Sequence, residues 1–125
     1  MNNKKKGTAF EKTMQEIYSQ NGWWVHFISP DSRGMQPFDV IAVKNNKIHV
    51  FDCKTCQSDI FSIDRLEDNQ ILAFEKWIKC GNSDPFIAVE HDSKVYFIDY
   101  KRLKKEKRIN LSREVGTLWL TRDVR

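Results

Sequence analysis

Two apolar, β-branched segments flank a pair of asparagines near the middle of the chain, and this arrangement constrains the fold more than any other feature. The first segment, residues 38–43, reads FDVIAV, and the second, residues 48–51, reads IHVF. Asn45 and Asn46 between them tolerate the positive φ angles that a two-residue hairpin turn requires. The sequence therefore predicts a β-hairpin, and apolar residues on both of its faces place it inside a sheet rather than at the edge.

This hairpin brings three polar side chains together. With the asparagine pair as the turn, counting back in antiparallel register sets Asp39 directly opposite Asp52, with Cβ atoms about 4.5–5.5 Å apart. Side chains alternate along a strand, so Asp52 and Lys54 share one face and Cys53 points to the other. We therefore expect two carboxylates and an amine to converge.

Opposed carboxylates repel each other unless a cation neutralises them. Mg²⁺ is the hard divalent ion that suits carboxylate oxygens, with Mn²⁺ as the alternative. Such an ion lowers the pKa of a bound water and stabilises charge on phosphorus, while Lys54 orients the water or supports the developing charge. The pattern predicts a metal-dependent nuclease. The alternative is a pair of solvated carboxylates with Lys54 as their salt-bridge partner, because Asp-x-Lys alone often arises by chance.

The segments Pro37-Phe38-Asp39 and Asp52-Cys53-Lys54 resemble the motif of the PD-(D/E)xK nuclease superfamily. Within it the chain is similar to the Holliday junction resolvases of the RecU and archaeal Hjc type, including phage versions, over residues 7–103. The resemblance implies an α/β fold, a three-layer α/β/α restriction-endonuclease-like core around a central mixed sheet, with the order αβββαββα.

The resemblance also implies a set of catalytic residues, namely Glu11, Asp39, Asp52, Lys54 and Gln70, with Glu11, Asp39 and Asp52 as metal ligands. Many resolvases of this group carry glutamate in place of Asp52, so the shorter side chain would draw the ion towards the backbone. Gln70 interrupts an apolar helical stripe, and a backbone partner is the structural alternative for its amide. The alternative for Glu11 is an ordinary glutamate in the first turn of a helix.

The net charge of +4 and the pI of 9.0 favour a polyanionic partner, because clustered basic side chains bind phosphates. The candidate DNA-binding residues are Lys4, Lys5, Lys6, Ser32, Arg33, Lys101, Arg102, Lys104 and Lys105, and the late basic cluster that begins at Lys101 extends through Lys107 and Arg108. A flexible basic tail over residues 1–6, solvent-facing turn residues in the loop and a solvated helix face near the end are the alternatives.

A chain of 125 residues suits a single nuclease domain over residues 1–125. No apolar run reaches membrane-spanning length and no signal peptide is evident, so we expect a cytoplasmic protein without membrane contact. Three cysteines cannot all pair, which is typical of a reducing compartment. Cys53 and Cys56 form a C-x-x-C pattern, whose alternatives to core thiols are a zinc or a redox site.

The predicted function is magnesium-dependent cleavage of branched DNA, which the resemblance refines to resolution of four-way Holliday junctions in recombination and repair. Such resolvases cut two strands symmetrically, so a homodimer is implied, with Trp23, Trp24 or Phe61 as candidates for an exposed interface. Small size and a free-standing nuclease domain would suit a phage or prophage enzyme. The alternatives are a restriction- or repair-type nuclease and a catalytically inactive DNA-binding accessory protein.

Overall fold

A computed structural model describes the backbone of residues 3–28 and 38–115 and the side chains of residues 9–28 and 38–115. The helices and strands within these ranges are, in chain order, α1 (Asn3–Gln20), β1 (Trp24–Phe27), β2 (Val40–Lys44), β3 (Lys47–Thr55), β4 (Ile60–Ser62), α2 (Asp68–Lys79), β5 (Phe86–His91), β6 (Lys94–Asp99), α3 (Tyr100–Glu106) and β7 (Arg108–Asn110). Short 3-10 turns cover Ile63–Arg65 and Leu111–Arg113. No helix in the described ranges is long and apolar enough to cross a membrane.

Five strands form one mixed sheet in the order β1-β2-β3-β5-β6. Only β3 and β5 run parallel, and the other neighbours are antiparallel. The chain returns from β3 to β5 through a crossover that contains α2, as a parallel pair requires. The predicted α/β fold with a central mixed sheet is confirmed.

The hairpin between β2 and β3 has the predicted register. Asn45 and Asn46 adopt φ angles of 50° and 64°, which belong to a two-residue turn with both central residues left-handed. Pairing runs from Lys44 opposite Lys47 to Val40 opposite Phe51. Asp39, one residue before β2, therefore comes beside the strand that carries Asp52.

Each face of the sheet buries its own apolar cluster. On one face, α1 contributes residues such as Phe10 and Tyr18, which pack with Phe51. On the other face, α2 and α3 contribute Phe74 and Leu103. A sheet covered by helices on both faces gives the expected three layers.

Two features differ from the expectation. The strands β4 and β7 pair with each other in a separate two-stranded ribbon, and three-residue strands are too short to show a hydrophobic period in the sequence. Helix α1 begins at Asn3, so the backbone of residues 4–6, predicted as a flexible tail, is helical. Lysine is a good helix former, which allows α1 to extend past Gly7.

Candidate active site

The two predicted carboxylates hold each other in place through the backbone. The backbone N–H of Asp39 donates to Oδ1 of Asp52 at 3.0 Å, and the N–H of Cys53 donates to Oδ2 of Asp39 at 2.8 Å. Asp39 is 6% exposed and Asp52 is 0% exposed. Each carboxylate is thus fixed by an N–H group of the facing segment, and the predicted convergence of the pair is confirmed.

Asp52 keeps one oxygen without a partner. Its Oδ2 is buried and accepts no hydrogen bond from the described residues. Burial raises the pKa of Asp52 well above its usual range, and the charge of Asp39 raises it further. Burial also raises the pKa of Asp39, although the N–H of Cys53 and the charge of Lys54 oppose this. A buried, unpartnered carboxylate oxygen beside a second acid is costly unless a cation binds it.

Glu11 and Lys54 complete the charged surroundings of the pair. Glu11 is half-buried on α1, where burial raises its pKa to about 7, the charge of Asp39 raises it and the charge of Lys54 lowers it. Lys54 is partly buried on β3, and its positive charge lowers the pKa of both aspartates. The four predicted side chains are therefore close enough for their charges to interact.

The donor set fits a hard cation that needs few protein ligands. Within residues 9–28 and 38–115, no three carboxylate, imidazole or thiol groups form a cluster that could hold a metal ion by themselves, so the predicted ligand set of Glu11, Asp39 and Asp52 is not assembled here. Mg²⁺ commonly binds one or two protein carboxylates and takes its remaining oxygens from water and substrate phosphates. The Asp39–Asp52 pair, with its unpartnered Oδ2, suits that mode of binding.

The comparisons with known proteins agree with this geometry. The model of the archaeal Holliday junction resolvase (Hjc) family matches residues 2–120. The chain belongs to the Hjc family. The resemblance to the PD-(D/E)xK resolvases is confirmed.

Two relatives of this Hjc-family chain illustrate its divergence. The crossover junction endodeoxyribonuclease Hjc of Methanocaldococcus jannaschii is 23% identical over 95 residues, which are 76% of this chain and 66% of that protein, just under two thirds of its length. The structure of Archaeoglobus fulgidus Hjc, a Holliday junction resolvase, aligns with a TM-score of 0.66 at 15% identity, over 93% of this chain and 95% of that one. That structural match supports the fold.

Gln70 of this Hjc-family chain has a local partner. Its side chain is buried, and its Oε1 accepts the backbone N–H of Glu67 at the start of α2, at 2.9 Å. The structural alternative, a backbone partner, therefore accounts for the Oε1 of Gln70. Glu67 itself was not predicted, although its charge raises the pKa of Asp39. A single acid at a helix start gives no signal in the sequence that points to a site.

We expect Gln70→Ala to lower the free energy of unfolding by about 1 kcal/mol, because the N–H of Glu67 loses its acceptor. Cleavage by the folded variant should stay within about twofold of wild type, since Gln70 bonds to the helix start. Urea unfolding and cleavage rates measured at a temperature where the variant is folded test this. A drop of more than about tenfold in cleavage by folded Gln70→Ala would instead indicate contact with the reacting groups.

Half of the late basic cluster is paired with acids of the described residues. Three of its six members form ion pairs, which are Lys101 with Asp84, Arg102 with Glu106 and Glu114, and Lys104 with Glu75. Lys105 makes no ion pair with a described residue. Asp84 and Glu75, which pair with the two lysines, are distant from them in sequence, so the charge run alone overstated what is available to phosphates. Ser32, Arg33 and the side chains of residues 4–6 lie outside the described residues.

The zinc and redox alternatives for the C-x-x-C pattern are wrong. Cys53 is buried in the cluster beneath α1, whereas Cys56 is buried in the cluster on the opposite face of the sheet. The thiol of Cys56 donates to the carbonyl oxygen of Ser58 at 3.2 Å. All three cysteines, including exposed Cys80, are free. The two buried thiols are core residues, as the sequence favoured.

Proposed function

We propose that this protein is a magnesium-dependent crossover junction endodeoxyribonuclease that resolves four-way DNA junctions, with Mn²⁺ as a second usable ion. The observation that carries the proposal is the buried Asp39–Asp52 pair, with the unpartnered Oδ2 of Asp52, on a chain of the Hjc family. A solvated pair of acids with a structural lysine would not need to be so deeply buried.

The roles of the residues follow from their surroundings. Asp39 and Asp52 would hold the ion through oxygens that the backbone N–H groups leave available, with Glu11 close by. When bound, the ion supplies charge stabilisation at phosphorus and makes water more acidic. Glu11, with a pKa of about 7, is suited to accept a proton from the attacking water at its carboxylate oxygen. Lys54 would stabilise negative charge that develops on the phosphate oxygens.

Lys54→Gln should abolish cleavage of a four-way junction in magnesium, with a loss of at least about 10²-fold, because the charge that faces the phosphate is removed. Lys47→Gln is the matched control, since it makes the same change at the exposed far end of β3 and should leave the rate unchanged.

The substrates are labelled four-way junction, flap and linear duplex DNA. Paired symmetric nicks in the junction alone support the proposal. Cutting of flap or duplex instead would indicate a restriction- or repair-type enzyme, and binding without cutting would indicate an accessory protein.

We also propose a homodimer, because symmetric cutting of two strands requires two active sites. Of the three aromatic residues considered for an interface, Trp23 and Phe61 are buried in the core, while Trp24 on the edge strand β1 is 63% exposed. Sedimentation of the protein on the junction should give two copies per junction. A single copy that still made paired nicks would contradict this.

We also propose that the protein is located in the cytoplasm. This is supported by the free thiols of all three cysteines, which are typical of a reducing compartment.

A further inference from the structure

Arg65 lies in the 3-10 turn between β4 and α2, beside the end of the strand that carries the catalytic lysine. Its Nη2 donates to the carbonyl oxygen of Thr55 at 2.8 Å, and Thr55 directly follows Lys54. Its guanidinium carbon lies 5.8 Å from the ring centroid of Phe61. These two contacts fix the direction of the side chain, and neither of them neutralises its charge.

The charge of Arg65 is not neutralised by any side chain that the structure describes. No carboxylate of a described residue lies within ion-pair distance of it, including that of its neighbour Asp64. Arg102 provides the contrast, because its guanidinium is held by two glutamates. An exposed, oriented guanidinium with free N–H donors matches the geometry of a phosphate group.

Two further basic residues extend this surface along the ribbon of β4 and β7. Arg108 on β7 pairs with Ser62 on β4, and the carbonyl of Lys107 accepts the N–H of Ile63, which starts the turn that contains Arg65. Lys107 and Arg108 are exposed, and neither forms an ion pair with any side chain that the structure describes. We call Arg65, Lys107 and Arg108 the ribbon patch.

We infer that the ribbon patch is a DNA-backbone contact surface, in which Arg65 holds a phosphate next to the one that is cut. This rests on the proposed nuclease function, since the place of the patch matters only if Lys54 faces the scissile phosphate. Arg65 is then a positioning residue, which sets how the DNA strand enters the site. The ion-paired face of α3 contributes less to binding than its lysine count suggests.

The test is the salt dependence of junction binding, measured without divalent metal so that no cleavage occurs. Each phosphate contact contributes about 0.9 to the slope of log K against log salt concentration. Arg65→Gln should make that negative slope less steep by about 0.9 and weaken binding roughly eightfold at about 0.1 M salt. The double variant Lys107→Gln with Arg108→Gln should make the slope less steep by about 1.8. Arg65→Lys keeps the charge and should restore the slope.

Lys47→Gln removes one positive charge at the other end of β3, outside the patch, and should leave the slope unchanged. A slope for Arg65→Gln equal to that of wild type would overturn the inference, as would an equal decrease for Lys47→Gln. Thermal unfolding of each variant shows that it is folded. If wild-type protein bound no junction at all, the proposed function would fail. If wild type bound and cut the junction, and Arg65→Gln did the same with an unchanged salt dependence of binding, only the inference about the ribbon patch would be wrong.

Discussion

Asp52→Asn should make the metal-free protein more stable while it abolishes cleavage. The asparagine keeps the Oδ1 acceptor for the N–H of Asp39, removes one of two adjacent buried charges and replaces the unpartnered oxygen. We expect the free energy of unfolding at pH 8 to rise by about 1–3 kcal/mol. Cleavage should fall by at least about 10³-fold, because the ion loses a charged ligand. Urea unfolding in a chelator and junction cleavage in magnesium measure the two effects.

The matched control is Asp92→Asn, in the turn between β5 and β6. Asp92 is exposed and has a φ of 51°, which asparagine adopts readily. This substitution should change neither stability nor cleavage appreciably. If Asp52→Asn were less stable than wild type at pH 8, the carboxylate would be a stabilising structural group, and the metal-site proposal would lose its main support. A gain in stability with loss of activity is the pattern of a site strained for function.

The second large effect expected is a stability that falls as the pH rises in the absence of metal. Glu11, Asp39 and Asp52 all have a raised pKa in the folded protein, from ordinary values of 4.5, 3.8 and 3.8. The folded state therefore binds more protons than the unfolded chain above about pH 4, and unfolding releases them. Their contribution is complete below the unfolded pKa and is lost as the pH rises through the folded pKa, which is about 7 for Glu11.

Glu11 alone should account for about 1–2 kcal/mol of this loss between pH 5 and pH 8, after allowance for solvent screening of a half-exposed group. Magnesium should reverse the loss, because it binds the deprotonated carboxylates of the folded state. At about 100 times its Kd it should add roughly 2.7 kcal/mol at pH 8 and much less at pH 5. Thermal unfolding with and without magnesium across this range is the measurement.

Other titrating groups do not mimic the magnesium dependence. The pKa values of Glu75 and Glu114 are lowered by their hydrogen-bond partners, so their contributions change below pH 4.5. The pKa of His91 is raised chiefly by its bond to the carbonyl of Cys56, so His91 also contributes stability that is lost as the pH rises, and it does so with or without the ion. The variant Asp39→Asn with Asp52→Asn should lose most of the magnesium effect. If magnesium stabilised the wild-type protein equally at pH 5 and pH 8, the result would contradict binding of the ion to deprotonated carboxylates.

The sequence predicted the part of the site that depends on strand register. Two asparagines determine the turn, the turn determines which residues face each other, and side-chain alternation then places Asp39, Asp52 and Lys54. Each step involves neighbours within one hairpin, so no tertiary information is needed.

The features that the sequence did not reveal depend on contacts between distant segments. The amide of Gln70 has a local partner, but a buried amide on an apolar stripe looks the same in sequence whether it serves a helix start or a phosphate. The ion pairs of α3 join it to acids on α2 and in loops. Arg65 gave no signal because its position follows from a ribbon whose strands are separated by α2 and the β5–β6 hairpin.

The reciprocal bonds between Asp39 and the β3 backbone make the chemistry dependent on a loop that is far from it. Asn45 and Asn46 lie about 20 Å along the strand from Asp39. One residue added to or removed from that turn would shift β2 by one position against β3 and turn its side chains to the opposite faces. Asp39 would then face the core beneath α1, and Asp52 would have no opposing acid. The length of this turn, which touches no substrate, is therefore as strict a requirement for cleavage as either carboxylate.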